Sequence, residues 1–168
     1  ARNLFMNNTL FLSNKNAAIL DVRSADNKDR WIVRLDLVNG KVKELVHEHD
    51  EDWIGGQGIS SWNMVPGYLS WMSEDESFLF QSERSGYSHL YSFDIHSGVI
   101  DALTFGEFEI RSITKSIKEN KLFITCNRSH PGDRNFFTLN LNNGAFIPVL
   151  EGDGAYEVSV SPNESYMA

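Results

Sequence analysis

At 168 residues the chain is long enough for about one sizeable core, and 41% hydrophobic with 23% charged residues is an ordinary globular composition. No run of about 18 apolar residues occurs, which leaves no membrane span, and no cleavable signal peptide is visible at the N-terminus. The net charge is −8 and the 15 Lys and Arg residues are scattered, which argues against a nucleic-acid-binding face.

In chain order, the first stretch is the least regular. Phe5-Met6 and Leu10-Phe11-Leu12 read as two short strands around an Asn7-Asn8 turn. A further apolar strand ends at Arg23-Ser24, and residues 24–30 (SADNKDR) read as a polar, exposed loop. Val33, Leu35 and Leu37 then alternate with polar residues, the period of a half-buried strand, up to a turn at Asn39-Gly40. Val42 and Leu45 follow. Residues 47–52 (HEHDED) read as a solvated charge run. His47 and His49, two apart, could share a strand face and hint at a metal, but the charge run favours the solvated reading. No metal or cofactor is expected.

Residues 53–62 (WIGGQGISSW) interrupt the rhythm, and a loop that departs from a repeat often carries binding work. Strand patterns resume at residues 68–72, 78–80 and 91–95, and Ser97-Gly98 supplies a tight turn before Val99-Ile100 and Leu103. Residues 110–114 and 122–126 repeat the pattern. Cys126, the single cysteine, falls in the second of these runs and reads as a buried structural thiol. One cysteine excludes an intrachain disulfide and a clustered-cysteine zinc site.

Aligning Gly40, Gly98 and Gly144 exposes an internal repeat. Seven, five and three residues before each glycine lie Val33/Leu35/Leu37, Tyr91/Phe93/Ile95 and Phe137/Leu139/Leu141; four before lie Asp36, Asp94 and Asn140. Upstream, each copy carries an apolar strand running to Arg-Ser: Arg23-Ser24, Arg84-Ser85 and Arg128-Ser129. His89 occupies the register of Trp31 and Asn135, which argues for a structural role. Four short antiparallel strands per unit, with no sustained helical period, is the pattern of propeller blades. The fold class is therefore all-β, with about three four-stranded blades over residues 1–53, 66–108 and 109–150, and a further blade beginning at 156–168. Such a partial propeller leaves open edges that invite self-association.

The run Glu83-Arg84-Ser85-Gly86-Tyr87-Ser88-His89-Leu90-Tyr91, continuing to Leu103-Thr104-Phe105-Gly106 and Glu109, resembles the dipeptidyl peptidase IV family. Trp53-Ile54-Gly55 resembles that family's Trp-Val-Gly, and Pro131-Gly132 with Arg134-Asn135 resembles the hairpin of a later blade. The resemblance is good from Trp53 to Ala168 and weaker before it. It implies an N-terminal eight-bladed propeller joined to a C-terminal α/β-hydrolase domain, in serine peptidases that release N-terminal dipeptides after proline or alanine. This chain would be the latter part of that propeller, a non-catalytic piece that gates access and orients peptides, with the hydrolase domain of the parent chain and a peptide substrate as partners. A periplasmic or secreted location goes with the family. The alternative is a stand-alone propeller-like binding module with no hydrolase attached.

The catalytic chemistry of such enzymes is missing from these residues. No G-x-S-x-G elbow occurs, and Gly58-Ile59-Ser60-Ser61-Trp62 lacks the second glycine, so no serine here is a credible nucleophile. The family's adjacent glutamates that bind the substrate amine are absent too. What the resemblance leaves as site candidates are Trp53, Gln57 and Trp62, in the loop that the family turns toward its substrate. The competing reading packs both tryptophans between blades.

Overall fold

The computed structural model describes residues 3–56, 59 and 67–168. Twelve strands form three separate antiparallel four-stranded sheets among them, with no helix. The first sheet holds β1 (Leu4–Phe11), β2 (Ala17–Ser24), β3 (Asp29–Asp36) and β4 (Val42–His49), in sequence order. The second holds β5 (Leu69–Ser73), β6 (Ser77–Ser82), β7 (His89–Asp94) and β8 (Ile100–Ala102). The third holds β9 (Ile110–Lys115), β10 (Lys121–Cys126), β11 (Asn135–Asn140) and β12 (Phe146–Leu150). Each is a simple meander, the topology that short turns between antiparallel neighbours produce.

The aligned glycines close the same turn three times. Gly40, Gly98 and Gly144 have φ of 71°, 75° and 71°, a region that favours glycine. Their amides donate to the carbonyls of Asp36, Asp94 and Asn140, each at 2.9 Å. The side chains of those three residues then accept from turn amides: Asp36 from Val38 and Asn39, Asp94 from His96 and Ser97, Asn140 from Asn142. Those donors hold the Asp36 and Asp94 carboxyls below their ordinary values.

Two apolar seams lie between sheets. Leu12, Ala17, Ile19, Ile32 and Val46 of the first unit meet Phe78, Phe80, Tyr91 and Phe93 of the second. Leu79 and Leu90, on the other face of the second sheet, meet Phe108, Ile110, Leu122, Ile124, Phe137 and Leu139. Strands β6 and β7 are thus buried on both faces, which is why Phe78-Leu79-Phe80 reads as a continuous apolar run. Cross-strand ring pairs reinforce the seams, Phe78 on Phe93 at 5.0 Å and Phe137 on Phe146 at 4.8 Å. Tip contacts join the units as well: the Asp75 carboxylate accepts from the Ser13 amide, and Glu164, in a hairpin over residues 159–168, accepts from the Ser116 hydroxyl and Ile117 amide.

Four expectations change. Asn7-Asn8 is not a turn: β1 runs straight through to Phe11, and the ladder shifts between Met6 and Asn8, the signature of a one-residue bulge. Residues 24–30 are not wholly exposed, since Ser24, Asp29 and Arg30 are buried. His47 and His49 belong to β4 rather than to a loop. The first Arg-Ser also stands one residue out of step. Ladder partners Ala17↔Asp36, Ser77↔Asp94 and Lys121↔Asn140 make Arg84 and Arg128 equivalent to Ser24, and Arg23 equivalent to Glu83. Arg84 and Arg128 lie over ring pairs of their own sheets, Phe80/Tyr91 and Phe137/Phe146, whereas Arg23 points into the seam.

Candidate functional site

The site is built where the first and second sheets meet, at the end from which the 50–56 connection leaves β4. On β2, Ala17, Ile19, Asp21 and Arg23 share one inward face by the two-residue period, so the strand carries two charges into the seam. Arg30, 1% exposed, pairs with the fully buried Asp21 through Nε at 3.1 Å and Nη2 at 2.9 Å. Its Nη1 donates to the Gln81 carbonyl of the second sheet at 2.6 Å and to Glu48 at 3.3 Å. Burial opposes the charge on Arg30, but Asp21 and Glu48 outweigh it and raise its pKa further. Glu48 is also the acceptor for Ser82 Oγ at 2.5 Å and for Arg84 Nη2 at 3.1 Å, so one carboxylate ties β4 to the second sheet.

Arg23 is the member without a hydrogen-bond partner among the described residues. It is 4% exposed, and its three guanidinium nitrogens make no hydrogen bond with the described residues. Burial lowers its pKa first and Arg30 second, while Asp21, Glu48 and Glu83 act against them.

Outside this seam the chain turns at Asp50, whose Oδ1 accepts from the Asp52 and Trp53 amides at 2.8 and 2.9 Å. Ile54, buried, donates its amide to the Asn27 carbonyl at 2.7 Å. Gly55 donates to Glu83 Oε1 across the seam at 2.5 Å. A Cβ on Gly55 would lie 2.7 Å from Trp53 Nε1, and one on Gly56 (φ 113°) would lie 2.8 Å from Glu83 Oε2. Gly56 is favoured by its positive φ, and a Cβ on either glycine would push against a side-chain end. Burial pushes the Glu83 carboxyl up, with Glu109, Asp50 and Glu48 adding to it and the Gly55 amide opposing. Between β4 and the Glu83–Arg84 turn lies a cleft of about 560 Å³, walled by His47, Glu48, His49, Asp50, Glu83 and Arg84.

The Asp29 Oδ1 accepts from both His47 Nε2 at 2.9 Å and His49 Nδ1 at 2.8 Å, and His47 stacks on Trp31 at 5.2 Å. Among the described residues no group of three or more His, Cys, Asp or Glu is disposed to hold a metal. His89 is buried and joins Thr104 Oγ1 and the Gly106 carbonyl. Cys126 is fully buried and burial lifts its thiol to about 11, far from a nucleophile's range.

Of the sequence candidates, Trp53 is half exposed, at 50%, and stands on the anchored loop. Gln57 and Trp62 lie outside the described residues. The Asp21–Arg30–Glu48–Arg84 network and Glu83 escaped the sequence reading. The signal for the first was available in part: Asp21 is a charge at an inward position of an apolar strand.

Three successive four-stranded meanders, packed face to face with a polar cleft at a loop between units, make up a section of a β-propeller. A model of the "Dipeptidyl peptidase IV (DPP IV) N-terminal region" matches residues 2–168, and the chain belongs to that family. It is 26% identical over 135 residues to dipeptidyl peptidase 4 of Arthroderma otae, and 24% identical over 135 residues to that of Trichophyton rubrum. Those matches cover 77% of this chain and 16% of each relative, so the chain spans about a sixth of their length. The fold is also that of Porphyromonas gingivalis dipeptidyl peptidase 4, with TM-score 0.73 and 16% identity over 98% of this chain and 22% of that one. A putative dipeptidyl aminopeptidase IV from Bacteroides ovatus gives the same TM-score and identity, over 98% of this chain and 25% of its own.

Proposed function

We propose that the chain is a non-catalytic propeller portion of a dipeptidyl-peptidase-IV-like serine peptidase, where it gates access and orients peptides for N-terminal dipeptide release. The observation that carries the reading is the Trp53–Gly56 stretch. Its backbone is fixed at three consecutive amides, by Asp50, Asn27 and Glu83, and it presents a half-exposed tryptophan next to Ile54, which lines the open cleft. A large aromatic on an anchored backbone near a cleft is a recognition surface with a reduced ordering cost on binding. The cleft's carboxylates suit a cationic peptide end.

The reading requires a hydrolase domain as partner in the same polypeptide. Reading the coding DNA past the codon of Ala168 tests this: a G-x-S-x-G elbow with a later Asp and His supports it, and a stop codon or further blades without an elbow overturns it in favour of a stand-alone binding module. With the elbow found, the full-length protein is assayed on Xaa-Pro-p-nitroanilides, where Trp53→Ala raises KM about 10-fold or more if the loop faces the substrate.

Leu4 and Met6 on β1 and Ile147, Val149 and Leu150 on β12 are exposed apolar side chains on the first and third sheets. The isolated chain is expected to self-associate through them; light scattering that stays at one monomer mass up to high concentration argues against this.

A further inference from the structure

We infer that Glu83 is the positioning residue of the Trp53–Gly56 loop: a side chain of the second sheet that holds the first sheet's loop by its Gly55 amide. The inference rests on the reading above for what the loop is for, but its geometry stands apart from that reading.

The Glu83 carboxylate reaches the loop through a single acceptor, Oε1, which takes the Gly55 amide at 2.5 Å. The loop backbone also runs close to the other oxygen, since a Cβ on Gly56 would fall 2.8 Å from Oε2. Among the described residues the other loop amides are held from the first unit, Ile54 by Asn27 and Trp53 by Asp50. Remove Glu83 and the loop keeps its root on β4 but loses its bearing on the neighbouring unit. The carboxylate stands among Glu48, Asp50 and Glu109, which would expel a further negative charge. Arg23, buried in the seam and with no hydrogen bond among the described residues, feels the charge of Glu83. Hydrogen bonds to an ionised acceptor are roughly twice as strong as neutral ones, so the contact holds the loop most firmly once Glu83 has lost its proton.

The sequence hides this role. By ladder register Glu83 occupies the slot of Arg23 in the first sheet and Asn127 in the third, and Asn127 likewise accepts a backbone amide, that of Glu109, at 2.6 Å. The slot is therefore used twice to steady the stretch between sheets, once by a neutral amide and once by a carboxylate at the cleft.

The test uses this chain labelled with 15N-glycine. The Gly55 amide proton is expected to shift with pH as Glu83 titrates above the ordinary glutamate range, and Glu83→Gln is expected to abolish that step while keeping the acceptor. Glu83→Ala is expected to speed Gly55 hydrogen exchange about 10-fold or more, with Glu83→Gln restoring most of the protection and the Gly98 and Gly144 amides unchanged. A Gly55 amide that ignores both pH and Glu83→Ala overturns the inference, and the titration of the unmutated chain decides it even if the alanine variant fails to fold. In the full-length protein Glu83→Ala should raise KM for an Xaa-Pro-p-nitroanilide more than it lowers kcat, with Glu83→Gln closer to the parent. A responsive Gly55 with an unmoved KM upholds the anchor and overturns the substrate-facing reading of the loop.

Discussion

The two seams between sheets solve one packing problem with different chemistry. Where the second sheet meets the third, slot for slot, Gln81 donates to Ser88 Oγ at 2.8 Å within its own sheet and to the Ile110 carbonyl of the next at 2.9 Å. Where the first meets the second, the equivalent slots hold Asp21 and Arg30, and it is Arg30 that reaches the next sheet's backbone, at Gln81. Each link runs from one sheet to a carbonyl of its neighbour, but the first is ionic and the second neutral. The ionic version lies beside the cleft and the 50–56 loop. A neutral link suffices for joining sheets, as Gln81 demonstrates, so the charges are tied to the local needs of that loop. Buried ion pairs are weak evidence for stability and better evidence for a fixed arrangement.

The largest expected effect comes from breaking the ionic link. Arg30→Met leaves Asp21 buried without its cation and should cost about 3–5 kcal/mol in urea unfolding. Asp21→Gln combined with Arg30→Ser copies the neutral slots into the first sheet. That double variant should lose less than the sum of its single changes, by about 1–3 kcal/mol. Strict additivity would mean that the two slots do not work as a unit. Next comes the neutral link: Gln81→Leu leaves the Ile110 carbonyl and Ser88 hydroxyl short of a donor, at about 1–3 kcal/mol. An effect of Gln81→Leu larger than that of Arg30→Met would reverse the comparison.

How much of this could be read beforehand follows from the same contrast. The repeat, the all-β class and the glycine turns were legible because they are local: period-two alternation and a residue suited to positive φ show in a few adjacent letters. The ionic seam was not, because a polar stretch such as residues 24–30 looks solvated unless its partners are known, and Arg30 finds them at Asp21, Glu48 and Gln81. The Asn7 bulge looked like a turn for the same reason, since only the ladder with β2 distinguishes them. Trp53 stood out by breaking the rhythm; Glu83, which holds its loop, sat inside a regular repeat unit and gave no such sign.

A smaller effect tests the loop itself. Gly56→Ala forces a Cβ into a positive-φ residue and against Glu83 Oε2, at a cost of about 1–3 kcal/mol. In a Glu83→Ala background the steric part disappears and only the backbone strain remains, so the cost should fall. An unchanged cost would mean that the flexible carboxylate yields freely and that Gly56 is kept for its φ alone.

The smallest expected effect concerns pH, and it separates the two seams once more, since the first carries two histidines on one aspartate at its edge. His49 is half exposed and its pKa is raised above 6.5, chiefly by its bond to Asp29, with burial opposing and Glu51 assisting. A group with a raised folded-state value binds its proton more readily folded than unfolded. Its contribution is therefore complete below the unfolded value and is lost as pH climbs through the folded one. Unfolding of the chain and of His49→Gln should be compared from about pH 5 to about pH 8.5, a range in which histidine changes charge. The advantage of histidine over glutamine should be greatest at the acid end and shrink steadily above pH 6.5. Glu83, also raised, tilts stability in the same direction beginning above 4.5, but it is present in both proteins and cancels in the difference. A difference that stays flat across the range would mean that Asp29 holds neutral and charged imidazole equally well, and the pair would then be a hydrogen bond with no ionic part.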